Sequence, residues 1–318
     1  MKKYILPFMI LASLAFASCQ QDMLSETSVI KDSTVELEND FDYWLEANFL
    51  KPYNIEFKYR FTLDESDKGY WNVPADIDAS IVYAHLVKYL CVDTYDEVAG
   101  IDFTRAYFPK MFFLIGTWEF KNNGSYILGT AEGGKKIMLS GVNELPLWFE
   151  AYEEGRITKE ALAEGLSSQY IKTIHHEFTH ILNQTKSYPE TFGNVTPSTY
   201  VGDACFDTDQ YWRGRGFITA YAQNEHREDF AELVSEYITH DAAWWEAQLT
   251  AAHNETTEVR KKDPNAAFGD VLIKSKMDIV KEYMETAWGI ALDDLRDILL
   301  RRFDDVTMGR VDLNTVEL

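Results

Sequence analysis

The chain has 318 residues, 46% of them apolar, enough to bury a sizeable core in one large domain or two tightly packed ones. A formal net charge of −22 makes nucleic acid and anionic surfaces poor partners, and an aromatic share of 14% argues against disorder. The acidic residues are spread along the chain rather than gathered in a tail, as on a solvated surface.

At the N-terminus, Lys2 and Lys3 precede an apolar run from Ile5 to Phe16, too short to span a bilayer as a mature helix. The run ends in Ala17-Ser18-Cys19, small residues immediately before a cysteine, as a bacterial lipoprotein signal requires. Residues 1–18 then form the signal peptide, Cys19 becomes the lipidated first residue, 19–38 form a polar tether and 39–318 the folded domain. Phe16 departs from the usual leucine three residues before the cysteine, and an ordinary secretory signal is the alternative. With Cys19 lipidated, Cys91 and Cys205 remain, either to pair or to stay as buried thiols.

Along the domain, aromatic spacing predicts a helix over 41–49, and alternation of apolar and polar residues predicts a strand over 55–61. A helix over 79–90 and a strand over 110–120 follow, then a hairpin whose arms, 126–130 and 136–140, flank Glu132-Gly133-Gly134. Residues 159–184 read as helical with a break at Gly165, and 185–216 as an irregular loop rich in glycine and proline. Helices are expected over 225–239, 241–253, 270–287 and 291–304. The order implies an α+β fold: an α/β part over about 39–184 with a small mixed sheet, and a helical part over about 217–318. Lys136 to Ser140 is a candidate edge strand for an extended substrate, or else an ordinary interior strand.

Residues 175–180 read His-His-Glu-Phe-Thr-His and contain the pattern H-E-x-x-H. On a helix, His176 and His180 stand one turn apart on one face, so both imidazoles can reach one metal ion. Glu177 lies beside them, where a carboxylate can hold and deprotonate a metal-bound water, and the pattern points to a zinc hydrolase. Ile171, Ile174, Phe178, Ile181 and Leu182 supply the apolar stripe of a buried helix. His175 points about 100° away from the pair and is expected to pack or hydrogen-bond rather than ligate. His85, in an apolar helix, is expected to be a satisfied core residue.

A catalytic zinc needs a third protein ligand. Asn183 and Lys186 stand where the H-E-x-x-H-x-x-G-x-x-H form has its glycine and third histidine, so the ligand must come from a distant segment. In 217–232, Glu225, Glu228 and Glu232 share a helical face at spacings of three and four. Spacing leaves Glu228 and Glu232 equal as candidates, with Glu225 and His226 behind them. A solvated acidic stripe is the alternative.

The stretch Tyr221…Glu228-Asp229-Phe230-Ala231-Glu232 resembles the second motif of gluzincin peptidases of the anthrax lethal factor type. That resemblance implies a zincin-like catalytic domain in which His176, His180 and Glu228 bind Zn2+, Glu177 is the general base and Tyr221 stabilises the oxyanion. Glu232 would accept a hydrogen bond from a zinc-bound imidazole. Asp229 departs from the aromatic residue expected after the ligand. Over most of its length the chain is also similar to the substrate import-associated zinc metallohydrolase lipoproteins, in its signal, its His-Glu-Phe-Thr-His run and its Glu-Asp-Phe-Ala-Glu segment. This implies an outer-membrane lipoprotein, facing periplasm or cell surface, held by its lipid anchor only. It implies as partners a TonB-dependent outer-membrane receptor and that receptor's substrate-binding lipoprotein. The expected activity is hydrolysis of peptide or protein substrates through a zinc-activated water. The alternative is a non-catalytic surface binding lipoprotein with a structural or vestigial zinc site.

Overall fold

The computed structural model describes residues 37–62, 69–120, 126–127, 129–132, 136–208 and 210–317. The leader, Cys19, nearly all of the tether and the hairpin tip at Gly133-Gly134 lie outside them. Contacts divide the chain into Met1–Glu38 and Asn39–Leu318, and every described element belongs to the second unit. Among the described residues no helix is long and apolar enough to cross a membrane.

The fold is a mostly helical α+β arrangement. Helix α1 spans 40–53 and starts where the Asn39 side chain accepts from the Asp42 amide at 2.9 Å. Strand β1 (Glu56–Lys58) is followed by α2 over 77–99, α3 (Ile101–Tyr107) and β2 (Met111–Leu114). Short strands β3 (Glu119–Phe120) and β4 (Tyr126–Ile127) pair with each other, and β5 (Gly129–Glu132) turns back into β6 (Lys136–Leu139). Helix α4 (Leu145–Glu153) leads to α5 over 159–185, and the C-terminal part is α6 (His226–Thr239), α7 (Ala242–Val259), α8 (Gly269–Trp288) and α9 (Leu292–Thr307).

The sheet order is β1-β2-β6-β5, with the first three strands parallel and β5 antiparallel to β6. Side chains alternate across it. Phe57, Phe112, Leu114, Ile137 and Leu139 enter the main core, while Phe113, Ile115 and Met138 form a small cluster with Phe61 on the other face. Lys136 to Ser140 is therefore interior, and β5 is the edge. Strand pairing order is a long-range property, which the local pattern of one hairpin does not carry. The edge lies against the metal helix: a Cβ on Gly129 would stand 2.9 Å from Thr173 Cγ2, so only glycine lets the strand approach this closely.

The strand expected over 110–120 stops at Leu114, and the one expected over 55–61 shortens to Glu56–Lys58. Gly165 does not break α5. The helix continues through it, because the ring of Trp148 on α4 packs onto the glycine, where a Cβ would stand 2.4 Å from Trp148 Cζ3. The irregularity comes two residues later, as a π-turn over Ser167–Ile171, after which regular helix carries the histidines. Cys91 and Cys205 are both buried free thiols.

Candidate metal centre

Helices α5 and α6 pack against each other and supply nearly all of the centre. Lys172, His176 and His180 form a stripe at i, i+4, i+8 on α5, and Glu228, Glu232 and Glu236 form the matching stripe on α6. His176 Nε2 lies 3.0 Å from Glu228 Oε2, His180 Nε2 lies 3.3 Å from the same oxygen, and the two ring nitrogens are 3.1 Å apart. Donors about 2.0–2.1 Å from a tetrahedral ion stand roughly 3.3 Å from one another, so these three fit a single zinc with its fourth position open. Burial opposes a charge on His176, but Glu228 and Glu232 outweigh it and push the imidazole up to about 9. Glu228 feels burial too, and the two histidines still hold its carboxyl well below the usual range. The same convergence of negative charge and imidazole nitrogen suits a divalent cation.

Glu232 stands behind His176, its Oε1 2.8 Å from Nδ1. The contact falls short of hydrogen-bond geometry, and Nδ1 has no hydrogen-bond partner. Glu232 Oε2 accepts from Thr219 Oγ1 at 2.7 Å and Lys172 Nζ at 3.0 Å. Register thus separates the two glutamates that spacing alone left equal: Glu228 reaches the convergence point and Glu232 the ring behind it. Glu225 occupies the position before the helix without a side-chain cap and pairs with Arg227 at 3.2 Å, and His226 Nδ1 contacts the Tyr188 hydroxyl at 2.6 Å. Neither belongs to the three-donor group.

Glu177 lines a cavity of about 1100 Å³ together with His180, Glu228, Tyr221 and Gly129 of the edge strand. Burial raises its carboxyl pKa, with the histidines pulling the other way. Tyr221 opens a short 3₁₀ turn, Tyr221–Gln223, with its ring 6.1 Å from that of His176. Burial and the nearby Glu228 carboxylate keep its hydroxyl protonated. The turn is held from both sides. Thr219 Oγ1 accepts from the Ala222 amide at 3.1 Å, and buried Gln223 binds Thr208 Oγ1 at 3.0 Å and accepts from Arg215. The irregular loop is thus tied to the site by its own side chains.

His175 faces away, with Nδ1 3.1 Å from the Tyr95 hydroxyl, and burial lowers its pKa to about 3. His85 is half-buried rather than a core residue, with Nδ1 and Nε2 lying 2.9 and 3.1 Å from the Ile81 and Thr315 carbonyls, of which a neutral ring donates to one. Asp229, the departure from the expected aromatic, is fully buried against Lys276 Nζ at 2.6 Å and the Tyr200 hydroxyl at 2.8 Å. That pair ties α8 and the cavity-lining loop to the helix that carries Glu228. Neither Lys276 nor Lys172 was visible as a partner in the sequence, because their contacts span 47 and 60 residues.

The family model described as "Putative zinc-binding metallo-peptidase" matches residues 34–293. The chain belongs to this family. A crystal structure solved under the same description, from Bacteroides caccae ATCC 43185, is 33% identical and superposes with a TM-score of 0.68. The match covers 87% of this chain and 96% of that one. No curated protein matches the chain. Zinc binding and peptidase chemistry are what the family's description names, and the His176, His180 and Glu228 group is where this member can hold a metal.

Proposed function

We propose that the protein is a zinc-dependent metallopeptidase of the gluzincin type, with a zincin-like domain over 39–318 and His176, His180 and Glu228 as its metal ligands. The observation that carries this reading is the convergence of two imidazole nitrogens and one carboxylate oxygen within 3.0–3.3 Å of one another, on a cavity wall that also bears Glu177. A zinc ion held by these three residues would supply a Lewis acid and bring the pKa of water toward neutrality. Glu177 takes the proton from the attacking water and returns it to the leaving amine, a role its place on the cavity wall beside His180 and Glu228 suits. Tyr221 donates its hydroxyl hydrogen to the oxygen that gains charge. The β5 edge, with Gly129 in the cavity wall, accepts an extended peptide by main-chain pairing.

The leader and Cys19 support anchorage as an outer-membrane lipoprotein, and the likeness to import-associated lipoproteins supports work beside a nutrient receptor. The test is cleavage of a mixed peptide library by the purified protein, followed by mass spectrometry. Zinc-dependent cleavage that disappears in Glu177→Gln supports the reading. A zinc-loaded wild type that leaves every peptide intact, with the metal still bound, favours the binding-lipoprotein reading instead.

A further inference from the structure

The two facing stripes form a ladder. Glu228 Oε2 lies between His180 and His176, and Glu232 reaches His176 with one oxygen and Lys172 with the other. Glu236 Oε1 then closes the ladder on Lys172 Nζ at 2.6 Å. Along the stripe of carboxylates, one end offers the three-donor metal group and the other holds a built-in ammonium. Lys172 is largely buried, and its two carboxylates outweigh the burial penalty and keep it charged.

We infer that Lys172 is a positioning residue for the metal centre: its Nζ on Glu232 Oε2 fixes that carboxylate with Oε1 aimed at His176 Nδ1, so that Nε2 stays free for the metal. The inference rests on the proposed metal ligands. Without Lys172, Thr219 Oγ1 is the one remaining hydrogen-bond partner of Glu232 Oε2 among the described residues, and the carboxylate can turn away from the ring. A rotated Glu232 no longer faces Nδ1, and the ring loses both its preferred tautomer and its orientation. Thr219 supplies the second contact to the same oxygen and also binds the turn that carries Tyr221. The node at Glu232 therefore joins metal ligand and oxyanion donor.

The test is zinc affinity of the full chain, by competition with a chromophoric chelator, for wild type, Lys172→Met, Lys172→Arg and Glu236→Gln, with circular dichroism to verify folding. Lys172→Met should weaken zinc binding by about 10–100-fold, as loss of an outer-shell partner does. Lys172→Arg should restore most of it, the 350 Å³ pocket beside Lys172 leaving room for the larger head group. Glu236→Gln leaves Lys172 to Glu232 alone and should keep wild-type affinity. If Lys172→Met folds and binds zinc as tightly as wild type, the inference fails. It fails equally if Glu236→Gln weakens binding as much as Lys172→Met, since Lys172 would then act through general packing. If Lys172→Met does not fold, Lys172→Arg decides: near-wild-type affinity supports the inference, and a 10–100-fold loss in a folded protein overturns it. Absence of zinc binding by wild type would instead remove the ligand assignment on which the inference stands.

Discussion

The front of α5 sets His176 and His180 against the carboxylates of α6, whereas its back sets His175 and Phe178 against the rings of Tyr95, Phe103 and Phe108. Adjacent histidines are driven in opposite directions. Burial lowers His175 to about 3, while Glu228 and Glu232 overcome burial and raise His176 to about 9. The side chains are chemically identical, so the difference lies in which helix face each occupies and what that face meets. The front is a polar face organised for a cation, and the back is an apolar platform that holds the front in place.

The comparison breaks most sharply at the front. Glu177→Gln should lower kcat by ~10²–10⁴-fold with zinc content unchanged, because it removes only a proton carrier. Equal turnover by that variant would remove Glu177 from the chemistry. At the back, Phe178→Ala should cost about 3–5 kcal/mol of unfolding free energy, since a fully buried ring leaves a cavity among three others. Denaturant titration measures it, and a loss near zero would mean the platform collapses around the gap. Further along the same helix, Gly165→Val should cost ~1–3 kcal/mol by forcing Trp148 aside. An unchanged melting temperature would show that α4 yields freely.

The remaining effect is a slope with pH and concerns His175. Its folded pKa lies below the ordinary 6.5, so below that value the unfolded chain binds a proton that the native fold refuses. Stability should therefore fall as the pH drops from 6.5 toward about 3, and His175→Phe should remove this part of the slope. Parallel stability–pH curves for the two proteins would show that His175 does not titrate as its burial demands.

What was legible in the sequence is what depends on neighbours along the chain. The His176–His180 pair and the apolar stripe behind it lie within a few helical turns, and periodicity alone places them. The C-terminal helices were legible for the same reason, although α7 runs on to Val259. The choice between Glu228 and Glu232 was not, because both lie on the same face and only the register of α6 against α5 separates them. Lys172 and Lys276 stayed silent, since an isolated lysine in a helix reads as a solvated side chain. Helix α4 was missed because its apolar residues fall on more than one face, with Leu145 and Ala151 buried, Trp148, Phe149 and Tyr152 half-buried and Leu147 52% exposed. The exchange of roles between β5 and β6 has the same origin, an order of strands that no single hairpin encodes.

Zinc bound per chain, by elemental analysis of the purified protein before and after zinc loading and beside Glu228→Ala, tests the central claim most directly. The account predicts about one zinc in wild type and little in the variant. A wild type that takes up no zinc, or a Glu228→Ala variant that binds it as wild type does, would contradict the three-donor site.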